Sequence, residues 1–139
     1  MLKSLRLMMS ASVFLGLSGG SALAAGCDIE DFPTFMREFA RSVAVQEGAT
    51  ADPLILRSLE EGDPEPVAQS KEVPLSEVEW PVIGTLSGLE AQGHELIWHK
   101  DSADQESLQV RGGDNGLNIR YVFRRAPCWT LTEIDDASL

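Results

Sequence analysis

Two histidines lie near each other in the chain and invite a metal site. His94 begins and His99 ends the segment HELIWH, so the two residues are five positions apart. Zinc proteases instead place two histidines four positions apart on one helix face. At this spacing the two rings would point about 140° apart on a helix, and on a strand they would lie on opposite faces. The spacing therefore predicts no metal site and indicates solvent-facing or edge histidines.

The chain has two cysteines, Cys27 and Cys128. They form no CxxC pair, so a zinc finger is excluded. In an oxidising compartment, an even number of cysteines indicates a disulfide. A second interpretation is a lipoprotein, because residues 24–27 (AAGC) resemble a lipobox whose Cys27 would be acylated. The two alternatives exclude each other, since an acylated sulfur cannot form a bridge.

Motifs for nucleophilic or phosphate chemistry are missing. The sequence contains no Gly-rich phosphate loop, no Gly-x-Ser-x-Gly elbow and no Ser-x-x-Lys. We therefore predict no catalytic residue, no metal and no cofactor. An enzyme stays open as an alternative, because a carboxylate such as Asp101 or Glu133 would act as a general base if burial raised its pKa.

One group of arginines stands out in an acidic chain. Arg120 and Arg124 would share a face of a strand, since an even spacing places side chains on the same side. They are candidates for contacting an anionic group. The alternative is that they neutralise the surrounding carboxylates, which is common at surfaces.

Four aromatic residues beyond the first helix are candidates for lining a ligand pocket on a sheet. They are Trp98, Tyr121, Phe123 and Trp129. Packing in the core explains the same residues, and both interpretations remain open.

The charge balance excludes one class of partner. Among 139 residues, 11 are Lys or Arg and 22 are Asp or Glu, which gives a net charge of −11. Nucleic-acid readers need a basic face, so we predict no nucleic-acid partner. The length is that of one domain.

The first 24 residues have the pattern of a secretory signal peptide. Lys3 and Arg6 precede an apolar stretch over residues 7–17, and residues 22–24 (ALA) offer a cleavage site. The apolar stretch is too short to span a bilayer. We predict a signal peptide over residues 1–24, a single domain over residues 25–139, and a periplasmic or secreted protein with no transmembrane segment in the mature chain.

Residues 31–46 are predicted to form one amphipathic helix. Asp31 can cap its amino end, and the apolar side chains recur at helical spacing. These side chains are Phe32, Phe35, Met36, Phe39 and Val43.

The remaining elements are mainly strands. Residues 54–56 and 67–73 suggest a hairpin, although a short helix over residues 52–61 is an alternative. Short helical pieces are predicted at residues 75–80 and 86–91. Four further strands, at residues 94–100, 107–111, 117–125 and 128–134, form an antiparallel meander. A helix followed by antiparallel strands predicts the α+β class.

Several motifs resemble an exported bacterial domain-of-unknown-function family, number 4348. The residues that carry the resemblance are Phe32, Phe35, Phe39, Val45, Gln46, Pro53, Leu54, Tyr121, Phe123 and the segment 128–139. That family is similar to the nuclear-transport-factor-2-like, cystatin-like superfamily. The resemblance implies a long helix packed in a curved, cone-like antiparallel sheet. It implies no single activity, because the wider superfamily includes isomerases, dehydratases and binding scaffolds.

The sequence thus favours a non-enzymatic exported module that binds an unknown small molecule or protein. A cone-fold isomerase or dehydratase with a buried carboxylate is the first alternative. A cell-envelope interaction protein, dimeric through its sheet face, is the second.

Overall fold

The computed structural model describes residues 23–139, so the predicted signal peptide, apart from its last two residues, lies outside the described residues. The described part contains four α-helices: α1 (Leu23–Asp28), α2 (Phe32–Arg41), α3 (Val43–Gly48) and α4 (Leu86–Ala91). It also contains a 3₁₀ helix, Leu75–Glu77. The six strands are β1 (Thr50–Glu60), β2 (Val67–Val73), β3 (Glu95–Lys100), β4 (Gln105–Arg111), β5 (Asn118–Arg125) and β6 (Trp129–Asp136). The α+β class is confirmed.

All six strands belong to one curved sheet in the order β2-β1-β6-β5-β4-β3. The hairpin of β1 and β2 and the antiparallel meander from β3 to β6 agree with the prediction. The prediction of a purely antiparallel sheet was wrong, because β1 and β6 are parallel. The chain leaves the sheet after β2 at one edge and re-enters it with β3 at the other edge. As a result β6, the last strand of the meander, lies beside β1 and runs in the same direction.

A bulge in β6 changes which side chains face inward. Val122 pairs with Glu133 but Phe123 pairs with Leu131, so Thr132 is the extra residue. Such an insertion shifts the alternation of side chains along a strand. Leu131 before the bulge is buried in the core, and Ile134 after it packs against the same core.

The predicted single helix over residues 31–46 was wrong, because Ser42 interrupts it. Asp31 does cap α2, accepting a hydrogen bond from the Thr34 amide at 3.0 Å. Ser42 is extended (φ −132°, ψ 113°), and its hydroxyl accepts from the Val45 amide to start α3. The break turns Val43 outward, where it is 43% exposed, and Gln46 inward, where it is fully buried.

The aromatic side chains of α2 pack on the sheet. Phe32, Phe35 and Phe39 lie with ring centroids 5.4, 5.6 and 5.0 Å from that of Phe123. Phe32 also lies 5.1 Å from Trp129. The region where these rings meet is therefore filled by side chains.

The Cys27–Cys128 disulfide joins α1 to the residue before β6. Nearby, the Trp129 indole nitrogen donates to the Glu30 carbonyl at 3.1 Å, and the Arg125 guanidinium donates to the same oxygen at 3.2 Å. The disulfide prediction is confirmed, and a bridged Cys27 has no sulfur free for acylation. In the part of the chain described, no helix is long and apolar enough to cross a bilayer.

Candidate functional site

A cavity of about 590 Å³ lies between the inner face of the sheet and the segment that follows the 3₁₀ helix. We call it the cleft. Its apolar lining comes from four strands and the facing segment: Leu54, Leu56, Val73, Val78, Pro81, Val82, Ile119 and Ile134. Its polar lining consists of Lys71, Glu77, Glu79, Tyr121 and Asp136. A smaller cavity of about 330 Å³ continues along β1 and β2 and shares Leu56, Lys71, Ile134 and Asp136.

Gln46 holds the wall of the cleft that faces the sheet. Its side-chain amide donates to the Ile83 carbonyl at 3.1 Å and accepts from the Val82 amide at 2.8 Å. The side chain is fully buried. Because both ends of this amide are paired with the backbone, α3 fixes the position of residues 82–83 relative to the sheet.

Tyr121, in β5, holds the same wall from the sheet. Its hydroxyl donates to the Val82 carbonyl at 3.1 Å. Burial raises the pKa of Tyr121 to about 12, and the negative charge of Asp136 adds to the rise. The phenol is therefore a neutral hydrogen-bond donor at any ordinary pH.

The charges around the cleft are mostly negative. Lys71 is opposed by Glu77, Glu79 and Asp136. The Asp136 carboxylate accepts from the Ser138 amide at 3.0 Å, which fixes its position at the end of β6. The cleft thus offers an apolar interior whose polar lining favours neutral or positively charged groups.

The four aromatic residues identified from the sequence are not in one place. Tyr121 lines the cleft, whereas Phe123 and Trp129 are buried in the core. Trp98 is 40% exposed and lines a different cavity beside α2 and α4.

Arg120 and Arg124 lie on the outer face of the sheet. Both line an outer cavity of about 300 Å³ together with Glu133. The Arg120 Nε donates to the Ser107 hydroxyl at 2.8 Å, and its terminal nitrogen pairs with Asp101. Arg124 lies 4.0 Å from Asp104.

The two carboxylates considered as bases lie on that outer face too. Asp101 accepts from the Ser107 hydroxyl and pairs with Arg120. Glu133 pairs with Arg57 at 3.0 Å. Neither residue lines the cleft, in which Asp136 is the carboxylate whose charge contributes to the raised pKa of Tyr121.

His99 lies in the edge strand β3, and His94 directly precedes that strand. The His99 Nε2 and the Gln109 side-chain oxygen are 2.9 Å apart. Between residues 23 and 139, no cluster of three or more His, Cys, Asp or Glu is arranged to hold a metal ion.

Sequence reasoning missed Gln46, Lys71, Val82 and Asp136 as parts of a site. Gln46 lies in the helix predicted over residues 31–46, which was identified from the spacing of its apolar residues. The resemblance to family 4348 was the one feature of the sequence that pointed to Gln46. Asp136 lines the cleft because the bulge in β6 shifts the alternation of its side chains, and no local sequence pattern predicts that bulge.

Comparison with known proteins identifies the fold. No family model matches the chain, and no curated protein sequence is similar to it. A crystal structure of a nuclear-transport-factor-2-like protein from Bacteroides fragilis is similar, with a TM-score of 0.55 and 21% identity, over 79% of this chain and 48% of that one. This chain has a nuclear-transport-factor-2-like fold. It spans about half the length of that solved structure, and its kinship with family 4348 stays a prediction.

Proposed function

We propose that this domain binds a small molecule in the cleft, without catalysis. Ligand sites are concave and mostly apolar, hold a few placed polar groups, and enclose about 300 to 1,000 Å³. The cleft has these properties at about 590 Å³. The ligand we infer has an apolar body and a neutral or positively charged polar group.

The observation that carries this proposal is the fixed wall. Gln46 from α3 and Tyr121 from β5 hold residues 82–83 through three hydrogen bonds. A wall held in this way needs little ordering when a ligand enters, and a preorganised site loses less affinity to conformational entropy.

The charge preference follows from the lining. Three carboxylates face one ammonium group in the cleft, and the chain as a whole carries −11. The negative potential of the cleft and that of the whole chain would both repel an anion. Both would attract a protonated amine.

The alternative of an isomerase or dehydratase receives less support from the geometry. Asp101 and Glu133 are paired with Arg120 and Arg57 on the other face of the sheet. A cell-envelope interaction protein, dimeric through the sheet face, stays an untested alternative.

The proposal is tested with a matched pair of probes, 1-naphthylmethylammonium and 1-naphthoate, which share an apolar body and differ in charge. We expect the cation to shift the NMR signals of Ile119 and Ile134, which line the cleft. Leu56→Trp, which fills the cleft, should abolish these shifts. Asp136→Asn should weaken binding of the cation about tenfold, as expected for the loss of one charge-assisted contact.

The matched control is Leu59→Trp, on the same strand but outside the cleft lining. It should bind the cation as the natural protein does. Equal binding by Leu56→Trp, or equal binding of the anion at Ile119 and Ile134, would contradict the proposal.

We further propose that the domain acts outside the cytosol, as a periplasmic or secreted protein of the cone-like family 4348, after removal of residues 1–24. The Cys27–Cys128 disulfide supports this, because such bonds persist in oxidising compartments. Mass spectrometry of the exported protein should find Ala25 as the first residue and no free thiol. An acyl group on Cys27 would overturn this proposal.

A further inference from the structure

A second cavity, of about 480 Å³, lies between α2, α4 and the edge strand β3. Its apolar part is formed by Leu86, Leu96 and Trp98, and its charged part includes Arg37 and Arg41. It shares no lining residue with the cleft. The proposed function of the cleft therefore does not account for it.

Trp98 is the unusual residue of this cavity. It is 40% exposed, although a large aromatic side chain is normally well buried. Its ring is held edge-on against Phe32, with centroids 5.9 Å apart, and Phe32 is itself buried in the core. Trp98 thus offers a positioned aromatic surface on which a flat ring can stack.

The two arginines extend from α2 beside this ring. Arg37 and Arg41 are four positions apart, which places them on the same face of the helix. Arg41 is paired with Glu38 at 2.8 Å. Arg37 takes part in no ion pair within residues 23–139, and the cavity lining contains a single carboxylate, that of Glu90.

We propose that this cavity binds a flat organic anion, a ring that carries a carboxylate. The ring stacks on Trp98 beside Leu86 and Leu96, and the carboxylate accepts hydrogen bonds from the Arg37 guanidinium. A planar guanidinium matches a carboxylate in two parallel hydrogen bonds, which a Lys cannot reproduce. The preference for an anion is the reverse of that in the cleft, in a chain where acidic residues outnumber basic ones two to one.

The experiment uses 1-naphthoate as the probe and the amide and indole NMR signals of the protein as the readout. We expect saturable shifts of the Trp98 indole signal with a Kd of about 1 mM, typical of a small fragment. The Trp129 indole, which donates to the Glu30 carbonyl, should stay unchanged. The opposite-charge probe, 1-naphthylmethylammonium, should not shift Trp98.

Two variants separate this site from nonspecific attraction. Arg37→Gln should weaken naphthoate binding about tenfold, the loss of one charge-assisted contact. Arg57→Gln removes the same charge on the outer face, where Arg57 pairs with Glu133, and should leave binding unchanged. Because Arg37 and Arg57 are both exposed, neither change threatens folding.

Three results would overturn the proposal. They are an unshifted Trp98 indole at saturating naphthoate, equal shifts with the cationic probe, and undiminished affinity in Arg37→Gln. Failure of the cleft to bind the amine would leave this test unaffected, because the two sites are read by different signals.

Discussion

Replacing Gln46 by Glu tests whether one buried amide holds the wall of the cleft. The Gln46 side chain is fully buried, donates to the Ile83 carbonyl at 3.1 Å and accepts from the Val82 amide at 2.8 Å. A protonated Glu can make both hydrogen bonds. An ionised Glu can only accept, so its negative charge would face the Ile83 carbonyl without a proton between them.

The sign of the effect follows from the two protonation states. Burial raises the pKa of the new carboxyl in the folded protein above its unfolded value of about 4.3. The folded state then binds the proton more tightly, so stability falls as pH rises above about 4.3 until the folded pKa is reached. We expect near-natural stability at about pH 4 and a loss of about 3 kcal/mol at about pH 7.

The assay is urea unfolding followed by tryptophan fluorescence across this pH range, relative to the natural protein. Gln46→Leu leaves both backbone groups unpaired at every pH, and should lose about 2 to 4 kcal/mol with no added pH dependence. Gln69→Glu makes the same change at an exposed position of β2 and should stay within about 0.5 kcal/mol. A Gln46→Glu protein as stable at pH 7 as at pH 4, once corrected for the natural protein, would refute the reasoning.

Two further predictions concern the core and the phenol. Phe39→Ala should lower the free energy of unfolding by about 3 to 5 kcal/mol, because Phe39 is fully buried against Phe123, whereas Val43→Ala, at an exposed position, should cost less than about 1 kcal/mol by the same urea assay. Tyr121 is the only tyrosine, so alkaline titration at 295 nm should show one transition with a pKa of about 12. Because folding raises this pKa, the free energy of unfolding should fall by about 2 to 3 kcal/mol as pH rises from about 10 toward 12. A transition near pH 10 in the folded protein would show that the phenol is open to water.

Local patterns predicted most of the elements. The alternation of residues 117–125 placed Tyr121 and Phe123 on one face of a strand, and the apolar spacing of residues 32–39 identified the helical side chains that pack on that face. The pairing of Cys27 with Cys128 was predicted from the even number of cysteines together with the export signal, with acylation of Cys27 as the alternative. These inferences hold because they depend on a repeat or a count within the chain itself.

The site depended on contacts between distant parts of the chain. Nothing near Gln46 indicates that its amide meets residues 82–83, because the break at Ser42 turns it inward and the partner lies 36 positions away. Asp136 enters the cleft only because β6 carries an extra residue opposite β5. The sequence by itself determined the spacing of apolar residues in each helix and strand, because that spacing repeats within a short stretch of chain. The tertiary structure decided which of them leave a space and which charges line it, because a cavity is the gap left between elements whose relative positions no local pattern encodes.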